Sequence, residues 1–277
     1  MKRILAIVTS LALVASCANG NSDSTASISP GQTPSSSLPT APVGSEVKLY
    51  FAGESGNSLR LYSEIHHVQG SSDQDLVNGL SELISGGKPI DPDYVNLWQS
   101  DSRLNSVLVE GDLATVDLHL GKLNVGAEAE MRAIEQLLFT IAAIEESIKR
   151  VKFLNDGEGI ETFAGHVDVT RPFQIDEGFD SLATVDLDIE EGSTLAKPYF
   201  ANGFACTFEA NVPWSLEQSG AVVNSGSVTA KFACPDRSKF EIDLGNLAPG
   251  KYTLRVWETS MKDGSLINED SKTINVE

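Results

Sequence analysis

The sequence predicts an α+β domain, a mainly antiparallel sheet covered by two helices, followed by an all-β sandwich. Three features carry that expectation. Between Ala127 and Arg150 the apolar residues Met131, Ile134, Leu137, Leu138, Ile141, Ile144 and Ile148 recur at spacings of three and four, the period of one helical face. Ahead of this stretch, short alternating runs of apolar and polar residues read as paired strands. From residue 182 onward the helical period is gone, and about seven short strand signals are separated by turn residues at regular intervals. A chain of 277 residues also exceeds what one compact core usually takes, which fits two units.

Taken in order, residues 1–16 read as an export signal. Lys2 and Arg3 precede an apolar run, Ile4 to Ala15, that is too short for a comfortable membrane span. The run ends in Leu13-Val14-Ala15-Ser16-Cys17, which resembles a lipobox. That resemblance implies lipidation of Cys17, with two or three acyl chains, enough for stable anchoring in the cell membrane at its extracytoplasmic face. Residues 17–45 are rich in Ser, Thr, Pro, Gly, Asn and Ala and bury too little apolar surface to order themselves. As a flexible coil they form a tether with a reach of roughly 30 Å.

The first domain spans 46–173. Val47 to Phe51 is a strand, Gly53 to Ser58 a polar loop, and Leu59 to Val68 a second strand. Ser72 or Asp73 can cap a helix through Leu76, Leu80, Leu83 and Ile84 that Gly86-Gly87 stops. Asp91 to Ser102, with Tyr94, Leu97 and Trp98, shows no clear period. Leu104 to Glu110 and Ala114 to His119 are strands, with Val116 and Leu118 on one face and Asp117 and His119 on the other. The long helix then places Glu128 and Glu130 in its first turn and Lys149 and Arg150 in its last, as the helix dipole favours. Its polar side carries Glu135, Glu145, Glu146 and Lys149. Val151 to Leu154 is a strand, Asn155-Asp156-Gly157 a turn with a residue at positive φ, and Ile160 to Phe163 the returning strand.

That order, with Val151, Phe153, Leu154, Asp156, Gly157, Gly165, His166, Asp168, Arg171 and Pro172, resembles a GerMN domain, the sporulation and spore-germination module of bacterial envelope proteins. Val116-Asp117-Leu118 agrees with the same pattern, while Gly87-Lys88-Pro89 stands where family members commonly show Gly-Pro. GerMN domains are similar in fold to ring-building modules of sporulation secretion assemblies. The resemblance therefore implies protein–protein contact, through an envelope partner or self-association.

Residues 174–181 form an acidic joint to the second domain, 182–277. There Val185, Leu187 and Ile189 alternate with Asp186, Asp188 and Glu190, which puts the acids on an exposed strand face. Further strands are read at Gly203 to Ala210, Trp214 to Gln218, Val222 to Phe232, Phe240 to Leu244, Tyr252 to Trp257 and Ser271 to Val276. Pro249-Gly250 and Asp263-Gly264 mark hairpin turns. Gly203-x-Ala205, Phe208-Glu209-Ala210 and Gly250-x-Tyr252 resemble the immunoglobulin-like domain often attached to GerMN domains.

Cys206 and Cys234 are the only cysteines besides Cys17. They are either free buried thiols or a disulfide. Export permits oxidation, and a bridge would contribute roughly 3–4 kcal/mol in the chain-entropy model, so one intramolecular disulfide is expected. The formal net charge of −19, from 20 basic and 39 acidic residues, includes no basic patch and argues against nucleic acid as a partner. His66 and His67 are adjacent on a strand and face opposite ways, while His119 and His166 stand near strand ends where each can meet a carboxylate. No G-x-S-x-G or H-E-x-x-H motif occurs. The acids Asp176, Glu177, Asp180, Asp186, Asp188, Glu190 and Glu191 lack calcium-loop spacing and read as a charged linker plus an exposed strand face. No catalytic, metal or cofactor residue is assigned. The expected protein is a non-enzymatic, membrane-anchored extracytoplasmic lipoprotein for protein–protein interaction or envelope assembly. The alternative is an extracellular binding module for a cell-wall glycan or small ligand.

Overall fold

The structure, a computed structural model, describes residues 44–98, 101–175 and 181–277. The export signal, Cys17, all but the last residues of the tether, and Asp176, Glu177 and Asp180 of the joint lie outside the described residues.

The first domain opens with β1 (Gly44–Ser55) and β2 (Ser58–Gln69), an antiparallel hairpin paired in register from Gly44↔Gln69 to Ser55↔Ser58. The expected loop at Gly53 to Ser58 is therefore mostly strand. Gly53 belongs to the ladder, and a Cβ there would come within 2.7 Å of the Tyr62 ring and 3.1 Å of the Tyr94 ring. Its small size serves ring packing, and the turn falls to Gly56, at φ 62°.

A short 3-10 turn (Ser72–Gln74) leads into α1 (Asp75–Ile84), which buries Leu80, Leu83 and Ile84. No side chain caps its start. At its end Gly86 takes φ 80°, and the Asn96 amide donates to the carbonyls of Leu83 and Gly87. The segment that lacked a period contains β3 (Tyr94–Val95), which pairs with β1 at Gly53, and the buried Trp98, whose indole donates to the Ala133 carbonyl.

β4 (Arg103–Glu110) and β5 (Leu113–His119) form a hairpin. α2 (Ala127–Ile144) then crosses over to β6 (Arg150–Asn155), which runs parallel to β5. The helical period in the sequence extends to Arg150, and the structure ends α2 at Ile144. Tertiary contacts decide this: the amides of Lys149 and Arg150 both donate to the Asp112 carbonyl, and the Arg150 guanidinium pairs with the Asp112 carboxylate at 2.6 Å. Joining β5 in parallel needs extended chain at Arg150, so Ile148 reaches the core from a loop. Asp156 (φ 50°) and Gly157 (φ 83°) make the turn after β6. The returning strand is only β7 (Glu158–Gly159), not Ile160 to Phe163, and β8 (Phe173–Gln174) pairs with the start of β6 at Arg150 and Val151.

The domain thus has two sheets, β2-β1-β3 and β4-β5-β6-β7 with β8 on β6, where one was expected. Helix α2 lies along β1 and also meets β2 and α1. Ala133, Ile134, Leu137, Leu138 and Ile141 fill the core, and a second buried face carries Gln136 and Thr140 beside Phe139. There Thr140 Oγ1 accepts the Tyr50 amide, while Gln136 donates to the Tyr50 carbonyl and accepts the Leu97 amide. Helix side chains thereby satisfy backbone groups on the open edge of β1.

The second domain packs the sheet β10 (Thr194–Leu195), β16 (Leu266–Val276), β15 (Gly250–Thr259), β12 (Asn211–Gln218), β13 (Ala221–Thr229) against β14 (Ser238–Asp243), β11 (Phe200–Ala205), β9 (Val185–Leu187). Val185, Leu187, Leu216, Ile242, Leu254, Val256 and Ile274 fill the sandwich. The expected strand Gly203 to Ala210 breaks after Ala205, where a 3-10 turn (Phe208–Ala210) puts Glu209 and Ala210 at positive φ. Cys206 and Cys234 form a disulfide at that break, with their Cα atoms 4.6 Å apart.

Candidate functional site: a buried charge cluster between the two domains

The chain enters the second domain along β2. Leu61 donates to the Ser181 carbonyl and accepts the Ala183 amide, a parallel bridge centred on Leu182. This lays β9 beside β2 and closes a polar cluster between the domains. From the first domain come Tyr62 and Ser63 of β2, Asp91 ahead of β3, and Tyr94 of β3. From the second come Asp186 of β9, Arg237 ahead of β14, and Asp270 and Lys272, two apart on one face of β16.

Lys272 is 1% exposed and Asp91 1%. Their Nζ and Oδ2 atoms lie 2.5 Å apart. The ammonium also donates to the Tyr94 hydroxyl at 2.7 Å and stands 4.1 Å from the ring centre. Tyr94 in turn donates to Asp270 Oδ1 at 2.7 Å, and Asp270 Oδ2 accepts the Leu187 amide. Tyr62 stacks on Tyr94 with ring centres 4.6 Å apart. Asp186 Oδ2 accepts from Ser63 and from Arg237, each at 3.1 Å, while its Oδ1 is buried with no hydrogen-bond partner.

Burial pushes the Asp270 carboxyl up to about 7, the Lys272 charge pulling against it and the Asp186 charge adding to it. Burial raises Asp186 in the same way. It holds the Tyr94 hydroxyl well above its ordinary value, with Asp270 reinforcing the effect. For Lys272 burial works against the charge, but Asp270 and Asp91 outweigh it and keep the ammonium protonated.

Alternation in the sequence puts Asp186 on an exposed strand face, and the structure corrects this: all three residues of β9 are buried. Alternation fails because one face of β9 meets the sandwich core and the other meets the first domain. Asp91, Asp270 and Lys272 were not singled out by sequence. A signal was present, since Asp270 and Lys272 share the face of β16 opposite Ser271 and Thr273, but their partners lie 176 and 181 residues away.

Other carboxylates hold loops. Glu130 has no exposed side-chain surface; it accepts the amides of Phe163, Ala164 and His166, and His166 Nδ1 lies 2.9 Å away. Burial opposes its charge, yet these donors hold the carboxyl below its usual range. Glu64 is similar: burial opposes, while His66 and the amides of Ile90 and Asp91 prevail. His119 meets Asp156 at 2.8 Å, so His119 and His166 each have a carboxylate partner. His66 is buried and His67 exposed. Ser45 and Lys48 stand at S-x-x-K spacing, but Ser45 donates to Asp75 and Lys48 pairs with Asp188 at 3.0 Å.

Residues 48–161 match the Germane family model, described as sporulation and spore germination, and residues 190–265 match Gmad2, the immunoglobulin-like domain of bacterial spore germination. The chain joins a GerMN-type domain to a Gmad2-type domain. Both matches are to germination-associated domains and not to known enzyme families. No curated protein matches. Among solved structures, a candidate lipoprotein from Clostridium perfringens is 22% identical, covering 50% of this chain and 93% of that one, with a TM-score of 0.34. The first GerMN domain of the sporulation protein GerM from Bacillus subtilis is 17% identical over 48% of this chain and 96% of that one, at 0.37. The tandem GerMN domains of the same protein are 14% identical over 51% and 49%, at 0.38.

The buried cluster straddles the margins of these matches. Asp91 and Tyr94 fall inside the GerMN-type span, whereas Asp186, Asp270 and Lys272 fall outside the Gmad2-type span. Among the described residues no helix is long and apolar enough to cross a membrane.

Proposed function

We propose that this protein is a non-enzymatic envelope module, anchored at the extracytoplasmic face of the cell membrane through lipidated Cys17, that works by contact with an envelope protein or with itself. The observation that carries the reading is the tandem of a sporulation and spore-germination domain with an immunoglobulin-like germination domain. The ionic contact between the domains supports it, because an assembly module gains from presenting two domains at a fixed angle. Its test is a mild-crosslinking pull-down from detergent-solubilised membranes set beside sedimentation with peptidoglycan. Specific protein capture without sedimentation is the expected result; sedimentation alone would favour a wall-binding module. A fatty-acid probe should label the wild type, and Cys17→Ser should abolish that label and release the protein. Labelling that survives the substitution would remove the anchor from the proposal.

A further inference from the structure

The pair Lys272–Asp91 calls for a physical account. A lysine with 1% exposure is rare, and a buried ion pair is a weak source of stability because both charges have lost their water. The pair also joins two domains, across 181 residues of sequence. Its geometry is that of two reactants: an amine nitrogen 2.5 Å from a carboxyl oxygen, both enclosed, in a setting where held proximity replaces a bimolecular encounter.

Two further groups complete the chemistry. Tyr94 touches the amine and passes its own hydrogen bond to Asp270, each at 2.7 Å. This forms a continuous proton path from Lys272 Nζ through the hydroxyl to a second buried carboxylate. Asp270, raised to about 7 by burial, is a ready proton acceptor and donor near neutral pH.

We propose that Lys272 and Asp91 condense spontaneously into an intramolecular isopeptide bond that joins the GerMN-type domain covalently to the Gmad2-type domain. In a step uphill from the resting ammonium, Lys272 first gives a proton through Tyr94 to Asp270, leaving a neutral amine. Its nitrogen lone pair attacks Cγ of Asp91, so that the Nζ–Cγ bond forms and the Cγ–Oδ2 bond breaks. Of the three ammonium protons one stays on the amide nitrogen, and two leave with Oδ2 as water. One of these two travels by way of Asp270, which returns to its starting state. The ammonium and carboxylate charges cancel in the neutral amide, so no oxidant, nucleotide or other co-reactant is needed. An amide also replaces two desolvated ions, which favours product. An open cavity of about 250 Å³, lined in part by Asp93, Tyr94, Asp270 and Ser271, gives the water an exit.

The full chain, reduced to open the Cys206–Cys234 bridge and digested with trypsin, decides the matter by tandem mass spectrometry. The expected result is one branched species in which the peptide with Lys272 is joined to the peptide with Asp91, lighter than their sum by one water and uncut after Lys272. Two linear peptides with normal cleavage after Lys272 would overturn the proposal. This wild-type map needs no variant to fold. Asp91→Ala and Lys272→Arg should abolish the branched species. Tyr94→Phe and Asp270→Asn should slow its appearance in newly synthesised protein by about a hundredfold, the scale of a positioned acid–base group. An unchanged rate in both would remove the proton relay while leaving the bond.

Discussion

Glu130 and Asp270 are both carboxylates withdrawn from water, and they are charged on opposite terms. Glu130 faces three backbone amides and a histidine within its own domain, so its negative charge is fully answered and its carboxyl sits below the usual range. Asp270 faces one hydroxyl, one amide and a lysine shared with Asp91, with Asp186 close enough to repel it, and it rises to about 7. Burial is common to both. What differs is the number of donors per charge, and that number decides whether a buried acid ties down a loop or stays ready to exchange a proton.

The Asp270 arrangement depends most on Lys272. Before any condensation, Lys272→Ala leaves Asp91 and Asp270 buried without their shared cation, and should cost about 3–5 kcal/mol. We expect the wild type to unfold in one calorimetric transition and the variant in two, because the contact joins the domains. Two transitions already in the wild type would show that the domains are separable units, as the acidic joint alone suggests.

A smaller and more local effect is expected at the loop clamp. Glu130→Ala removes one charged acceptor from three amides and should cost about 2–3 kcal/mol. Hydrogen exchange should quicken at Phe163, Ala164 and His166 while the second domain keeps its protection. Loss of protection throughout would mean that Glu130 does more than hold that loop.

The two carboxylates should also drive stability in opposite directions with pH. Asp270 keeps its proton up to about 7 in the folded chain, against about 3.9 when unfolded. The folded state then binds more protons in that window, so this contribution is full below about pH 4 and is lost as pH rises through 7. Glu130, held below its ordinary value of about 4.3, contributes above that value and loses its contribution as pH falls beneath it. Urea midpoints measured across pH should lose the first slope in Asp270→Asn. A slope that survives that substitution would assign it to another group.

The smallest effect belongs to a carboxylate left in water. Glu145 is exposed just beyond α2, and Glu145→Ala should stay within about ±0.5 kcal/mol. A larger shift would mean that the loop from Glu145 to Ile148 carries part of the parallel crossover.

Strands, helices and the location of the hydrophobic core were largely legible in the sequence, because periodicity records which side of an element is dry. Ile134, Leu137, Leu138 and Ile141 lie in the core at the helical spacing that predicts it. The candidate site was much less so. His119 and His166 could be assigned carboxylate partners in general, but not Asp156 and Glu130 in particular. Asp186 was placed on the wrong side because a period of two assumes one dry face, and β9 has two.

Local physics settled what each segment becomes: apolar spacing set the helices, alternation set the strands, and residues such as Gly157 set the turns. Those signals act over a few residues and survive in the sequence as pattern. The tertiary structure alone decided that α2 stops at Ile144, that Gln136 and Thr140 serve the edge of β1, and that Lys272 meets Asp91. Each of these depends on a hydrogen bond or charge whose partner is remote in sequence, and a buried polar group must find that partner or lose the free energy of its lost water.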